Sequence, residues 1–325
     1  MRILLIMIAM LAASVSFAGT PPVVEIDKDK ITVSGISAGG QMAHQVHIAY
    51  SDLFNGAAII AGGPYGCAEG SLTTAMSRCM GAADDVFALT ELATAIRGAA
   101  EAGNLADPAN LENDPVWLFH GTLDTTMGVG LSDALATLYE AFIPADQIQY
   151  VNDIEAGHGF PTQGRGSECA TMQPPFVIDC NYDAAGQLLQ HLYPDLVAPA
   201  QGPELELTEV NLPGATEAGL SETAFLYVPP DCKSGGQACA LHLVLHGCAQ
   251  SAVQLGTDFI QQSGYLPWAQ ANNIVMAFPQ VVSGPLNPYA CWDWWGYTGE
   301  NYDTREGAQM AVLANWIGSF THQIE

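Results

Sequence analysis

The stretch VSGISAGGQ, Val33–Gln41, sets Ser37 between Gly35 and Gly39 in a G-x-S-x-G pattern. A serine hydroxyl is a poor nucleophile until a base removes its proton and the backbone presents it clear of its neighbours. The two glycines supply that clearance in a turn too tight for side chains, and the N–H of Ala38, at the start of the following helix, can donate to an oxyanion. Asp124 in FHGTLDTTM and His158 in EAGHGFPT then follow, each just after an apolar run. In that order they supply an acid to orient a base and a base to activate the serine. The competing readings are a glycine-rich turn at Ser37, a turn or capping role for Asp124 and a bystander loop histidine at His158. His120, on the same strand end as Asp124, is the rival base, but it precedes the acid.

These residues need a scaffold of strand ends. KITVSG predicts a strand, residues 40–50 a helix and NGAAIIAGG a buried strand, which is the start of a parallel α/β sheet. PVWLFH and IQYVNDI predict two further strands, with helices over 84–103 and 131–142. Residues 194–219, rich in Pro, Gly and acids, look like a linker or surface excursion. Beyond them AFLYVPP, ALHLVLHGCAQS and NIVMAFPQ predict three more strands, and REGAQMAVLANWIGSFTHQ a closing helix.

In α/β hydrolases the second oxyanion donor comes from a His-Gly loop on an early strand, upstream of the serine. Here the matching segment, His246-Gly247-Cys248, lies some two hundred residues downstream of Ser37. Serine, acid, histidine, oxyanion loop is the order that a circular permutation of the hydrolase sheet produces, with the old termini joined through residues 194–219.

Eight basic against 34 acidic residues give a net charge of −26, which excludes long-range attraction to nucleic acid or an anionic membrane and favours a neutral or cationic substrate. The first 18 residues, one Arg, an apolar run and then small residues, have the layout of a cleaved export leader. The run is short for a spanning helix, which needs about twenty apolar residues. Export suits eight cysteines as four disulfides. Proximity suggests the local pairs Cys67 with Cys79, Cys169 with Cys180, Cys232 with Cys239 and Cys248 with Cys291, one connectivity of about a hundred. No Cys/His cluster has zinc-ligand spacing, so no metal is expected.

GISAGGQMA, HGTLD, GHGFPT, LHGCAQS and CWDWWGY together resemble the circularly permuted (type II) catalytic domain of polyhydroxybutyrate depolymerases, over nearly the whole chain after the leader. The resemblance implies one domain over residues 19–325, a mostly parallel sheet flanked by helices, and hydrolysis of 3-hydroxybutyrate polyester or its oligomers without a cofactor. Carried over by motif, Ser37, Asp124 and His158 form the triad, and Ala38 and Cys248 give the oxyanion N–H groups. His246 matches the family's oxyanion-loop histidine. No separate substrate-binding domain or membrane anchor is expected, and the chain is expected to act as a secreted or periplasmic monomer.

CWDWWGY sets Trp292, Trp294 and Trp295 within four residues, and a disulfide through Cys291 would hold them near Cys248. Aromatic surface beside a serine site suits an uncharged ester chain. All three are candidate substrate contacts; the competing reading puts two of them in the core, which leaves one, Trp292 or Trp295, to line the cleft. The same triad could serve feruloyl or acetyl-xylan esters, the alternative substrates, whereas a non-catalytic surface protein on this scaffold has no need of an ordered triad.

Overall fold

The strand that delivers Ser37, β1 (Ile26–Ile36), runs through the middle of the main sheet of the computed structural model, which describes residue 19 and residues 22–80, 87–200, 205–233 and 238–321. The expected leader, residues 1–18, lies outside the described residues. After β1 the chain forms β2 (Ala57–Ile60), β3 (Val116–Phe119) and β4 (Ile148–Val151). Three short strands follow, β5 (Phe160–Thr162), β6 (Ser167–Glu168) and β7 (Val177–Asp179), then β8 (Thr208–Asn211), β9 (Thr223–Tyr227), β10 (Cys239–Leu245) and β11 (Ile274–Phe278).

The eight-stranded sheet has the order β4-β3-β2-β1-β10-β11-β9-β8. From β4 to β11 every neighbour is parallel, and only the last two pairings are antiparallel. A mostly parallel sheet carries helices on both faces, so its strands read as continuous apolar runs. AAII, VWLF and IVMAF are buried at every residue. Two polar residues of β1 are buried too: Thr32 and Ser34 place their hydroxyls 2.6 Å and 2.7 Å from the two ring nitrogens of His242 on β10.

The sheet is that of an α/β hydrolase with its chain order permuted. β1 lies between β2 and β10, and strands from the C-terminal part of the chain fill one half of the sheet. Gly35 stands opposite Leu245, so the Ser37 turn and the His246 loop leave neighbouring strand ends side by side.

Residues 194–219, expected as a linker or surface excursion, also carry a strand of the main sheet. They contain β8, which pairs antiparallel with β9 and buries Val210 completely, and Gly19 bridges to Val210 from the other side. A four-residue edge strand with one buried side chain gives too short an alternation to stand out in a Pro- and acid-rich segment. The helix expected over 84–103 is Leu89–Glu101, and residues 81–86 lie outside the described residues. The helix after Ser37, α1 (Ala38–Ala49), buries all twelve residues, while the helix expected over 131–142 is Val129–Tyr139 and the closing helix is Ala308–Ser319. The eight cysteines form the four local pairs.

Candidate active site

Of the residues from Ile31 to Gly40, only Ser37 reaches solvent. It does so through backbone strain, since its φ of 57° and ψ of −122° are a conformation that L-residues seldom adopt. The glycines make the turn passable: a Cβ on Gly35 would stand 2.0 Å from the Gly39 carbonyl oxygen, and one on Gly39 2.2 Å from that of Leu245. The Ser37 N–H is held by the Ile60 carbonyl at 2.9 Å, and its own carbonyl accepts the Gln41 N–H, so the turn is tied to the sheet and to α1.

Asp124 stands at the carboxyl end of β3, where its side chain is 1% exposed. Its Oδ1 accepts the N–H groups of Thr126 and Met127 at 2.8 Å and 3.0 Å, and its Oδ2 lies 2.7 Å from His158 Nδ1. Burial works to raise the carboxyl pKa. The hydrogen bond and charge of His158, with the Met127 N–H, outweigh it and hold the group below the usual carboxylate range. An ionised Asp124 fixes the proton on Nδ1 of His158 and leaves Nε2 free to accept one. The two loops are bound together by backbone, Thr122 N–H to Ile154 carbonyl and Leu123 N–H to Ala156 carbonyl.

His120 does not compete as the base. It is 1% exposed, its Nδ1 is 3.0 Å from Ser132 Oγ, and burial lowers its pKa.

The segment His246-Gly247-Cys248 lies against the serine turn, where a Cβ on Gly247 would be 3.4 Å from Ser37 Cβ. Both nitrogens of His246 are committed to backbone: Nδ1 donates to the Gly247 carbonyl at 2.8 Å and Nε2 accepts the Val281 N–H at 3.2 Å. The ring is fully buried, and burial takes its pKa down to about 4 against the raising effect of the Gly247 bond. His246 therefore braces the loop as a neutral ring. The N–H groups of Ala38 and Cys248 have no acceptor among the described residues, as two oxyanion donors require.

The three tryptophans lie deeper than the sequence suggests. Trp292 is 0% exposed and packs against His246 with ring centres 5.4 Å apart, so the expectation that it meets substrate is corrected. Trp294 and Trp295 keep only 7% and 8% of their surface. The cause is Asp293, which is completely buried and gathers the loop around its carboxylate. Its Oδ1 accepts from the N–H groups of Trp295, Gly296 and Tyr297, and its Oδ2 from the N–H and hydroxyl of Thr298. Sequence reasoning missed this carboxylate, whose one signal is an acidic residue opening a turn at a glycine. Exposed apolar surface comes instead from Leu123, beside Asp124, from Met172, whose Sδ accepts the Thr125 hydroxyl, and from Tyr289, whose carbonyl holds the Ala249 N–H.

Fold and site together define an α/β hydrolase of permuted chain order. Comparison narrows the class. The chain is 44% identical over 308 residues to a poly(3-hydroxybutyrate) depolymerase of Delftia acidovorans, covering 92% of this chain but 61% of that protein. It is 35% identical over 330 residues to a polyhydroxybutyrate depolymerase of Talaromyces funiculosus, covering 96% and 95% of the two chains. Among solved structures, a PHB depolymerase complexed with an R3HB trimer matches with a TM-score of 0.86 at 32% identity, over 93% of this chain and 98% of that one. PHB depolymerase from Penicillium funiculosum matches with 0.87 at 33%, over the same shares. No family profile matches the chain. The chain belongs to the polyhydroxybutyrate depolymerase family.

Proposed function

We propose that the protein is a secreted serine esterase that cleaves poly(3-hydroxybutyrate) or its oligomers through an acyl-enzyme, with residues 19–325 as one catalytic domain acting as a monomer. The observation that carries the reading is the 2.7 Å Asp124–His158 contact past the end of β3, together with a serine held at positive φ past the end of β1 in the same parallel sheet. In the first half-reaction His158 Nε2 takes the Ser37 proton as Oγ attacks the ester carbonyl. The N–H groups of Ala38 and Cys248 bind the oxyanion, and the departing alcohol end of the polymer receives the proton from His158. Water, deprotonated by the same imidazole, then releases the acid end and restores the serine.

The substrate class rests on the family and on charge. A chain of net charge −26 repels anionic ligands at long range, and a neutral polyester meets no such barrier. The apolar Leu123, Met172 and Tyr289, each 40% or more exposed, suit a methyl-branched chain better than a sugar. Four disulfides support an oxidising compartment, and among the described residues no helix is long and apolar enough to cross a membrane.

The test is clearing and acid release on an amorphous poly(3-hydroxybutyrate) suspension, with Ser37→Ala alongside. Clearing by the native protein alone is the expected result. Hydrolysis of feruloyl or acetyl-xylan esters with no attack on polymer or oligomer would overturn the substrate assignment and leave the triad standing.

A further inference from the structure

Gln250 stands close to the oxyanion loop, yet nothing in the reaction above uses it. Its side chain is buried, with the residue 2% exposed, and all its bonds go to backbone in two separate parts of the chain. Oε1 accepts the Gly247 N–H at 2.6 Å, while Nε2 donates to the carbonyls of Pro175 and Phe176, each at 3.1 Å. A primary amide has two N–H donors, and these carbonyls take both. Phe176 belongs to the histidine side of the site. Its carbonyl also accepts the Phe160 N–H, two residues after His158, and its ring meets the imidazole edge-on with centres 6.4 Å apart.

The Gly247–Cys248 peptide is held through its carbonyl. Its carbonyl accepts His246 Nδ1–H at 2.8 Å and the Gln250 N–H at 3.3 Å. In a trans peptide the following N–H points opposite to the carbonyl, so the Cys248 N–H is turned away from those donors. A Cβ placed on Gly247 would lie 2.7 Å from Gln250 Oε1 and 3.4 Å from Ser37 Cβ, so this one glycine separates the amide from the serine.

We propose that Gln250 is a positioning residue for the oxyanion hole, fixing the Gly247–Cys248 peptide relative to both Ser37 and the segment that packs on His158. The proposal rests on the esterase reading and adds to it a residue that touches no substrate. It sets where the Cys248 N–H points when the carbonyl oxygen becomes anionic, so its loss acts on the transition state more than on ester binding.

Two variants of the full chain test it on p-nitrophenyl butyrate, with fluorophosphonate labelling and thermal midpoint measured in parallel. Gln250→Met keeps the shape and removes all three bonds. The expected result is a folded protein whose kcat falls about a hundredfold, as for a misplacement of about 1 Å, with KM within about twofold. Gln250→Glu keeps the acceptor and, once its buried carboxyl is protonated, regains one donor. The ratio of its activity to native is therefore expected to rise as pH falls. A lowered midpoint with native kcat in Gln250→Met, a raised KM at unchanged kcat, or a pH-independent ratio for Gln250→Glu would each overturn the proposal. A native protein that cleaves no ester and takes no label overturns the esterase reading and this one with it, whereas a labelled, active native protein with unaffected variants overturns this one alone.

Discussion

Cys248 and Cys291 are joined across 43 residues with their Cα atoms 4.3 Å apart, so the candidate oxyanion loop and the loop wrapped around Asp293 move as one body. The backbone repeats the connection, since the Ala249 N–H donates to the Tyr289 carbonyl at 2.7 Å. Trp292 therefore takes part in the site from beneath, as the wall against which His246 is pressed.

The double variant Cys248→Ala, Cys291→Ala keeps the Cys248-position N–H but frees the loop that aims it. Closing a loop of 43 residues stabilises a fold by about 4 kcal/mol in the chain-entropy account. Opening the 7-residue loop of Cys232 and Cys239 costs about 2 kcal/mol by the same account. The first variant is expected to lower both thermal midpoint and kcat, and the second the midpoint alone. Calorimetry with ester hydrolysis separates them, and equal kcat in both would show that the disulfide does not organise the hole.

Asp124→Asn replaces a carboxylate that accepts from His158 Nδ1 with an amide that can donate there. An amide donor favours the wrong imidazole tautomer, so kcat is expected to fall by about 10⁴ with little change in KM. The two backbone N–H groups on Oδ1 retain an acceptor, so the thermal midpoint should move little. Steady-state hydrolysis of a soluble ester checks the first claim and a melt the second.

Asp293→Ala leaves four backbone N–H groups and the Thr298 hydroxyl without their acceptor in a buried loop. Each unmet buried donor costs about 1–3 kcal/mol before relaxation, so the variant is expected to lose several kcal/mol of stability in urea unfolding. Asp293→Asn keeps one acceptor oxygen and should lose less. A surface-like loss below about 0.5 kcal/mol for the alanine variant would contradict the clamp.

Much of this was legible in the chain. Ser37, Asp124 and His158 stand just past strand ends because apolar runs such as VWLF must be buried and the polar turn after them must not, a pattern that one sequence displays. The permuted order was equally plain from the late position of LHGCAQS. What the sequence hid depends on tertiary packing. Thr32 and Ser34 give β1 a polar alternation, yet their hydroxyls are satisfied by His242 from a strand some two hundred residues away. The tryptophan run looks like exposed aromatic surface until Asp293 draws it inward. Gln250 is one glutamine after the oxyanion motif, and only its partners at 175 and 176 distinguish it from a solvated side chain.

Acid should weaken the fold before it reaches the ordinary carboxylate range. His44, His242 and His246 are fully buried, and burial lowers their pKa values from 6.5 to about 3, 3 and 4. Between those limits the unfolded chain binds protons that the folded chain refuses, so stability falls as pH drops below about 6.5. Asp124, held low, adds a loss further down, as pH passes through the usual carboxylate range toward its folded value. Asp303 has the opposite sign. Burial raises its pKa from 3.8 to about 6, so the folded state takes up its proton first and gains stability as pH falls through about 6. These three histidines, with His120 lowered in the same direction, outweigh one carboxyl, and the urea midpoint is expected to be lower at about pH 5 than at about pH 7. His242→Gln, which cannot titrate but can still hydrogen-bond both Thr32 and Ser34, should flatten part of that slope. A midpoint that holds steady or rises on acidification would mean that the buried histidines take up protons without unfolding the chain.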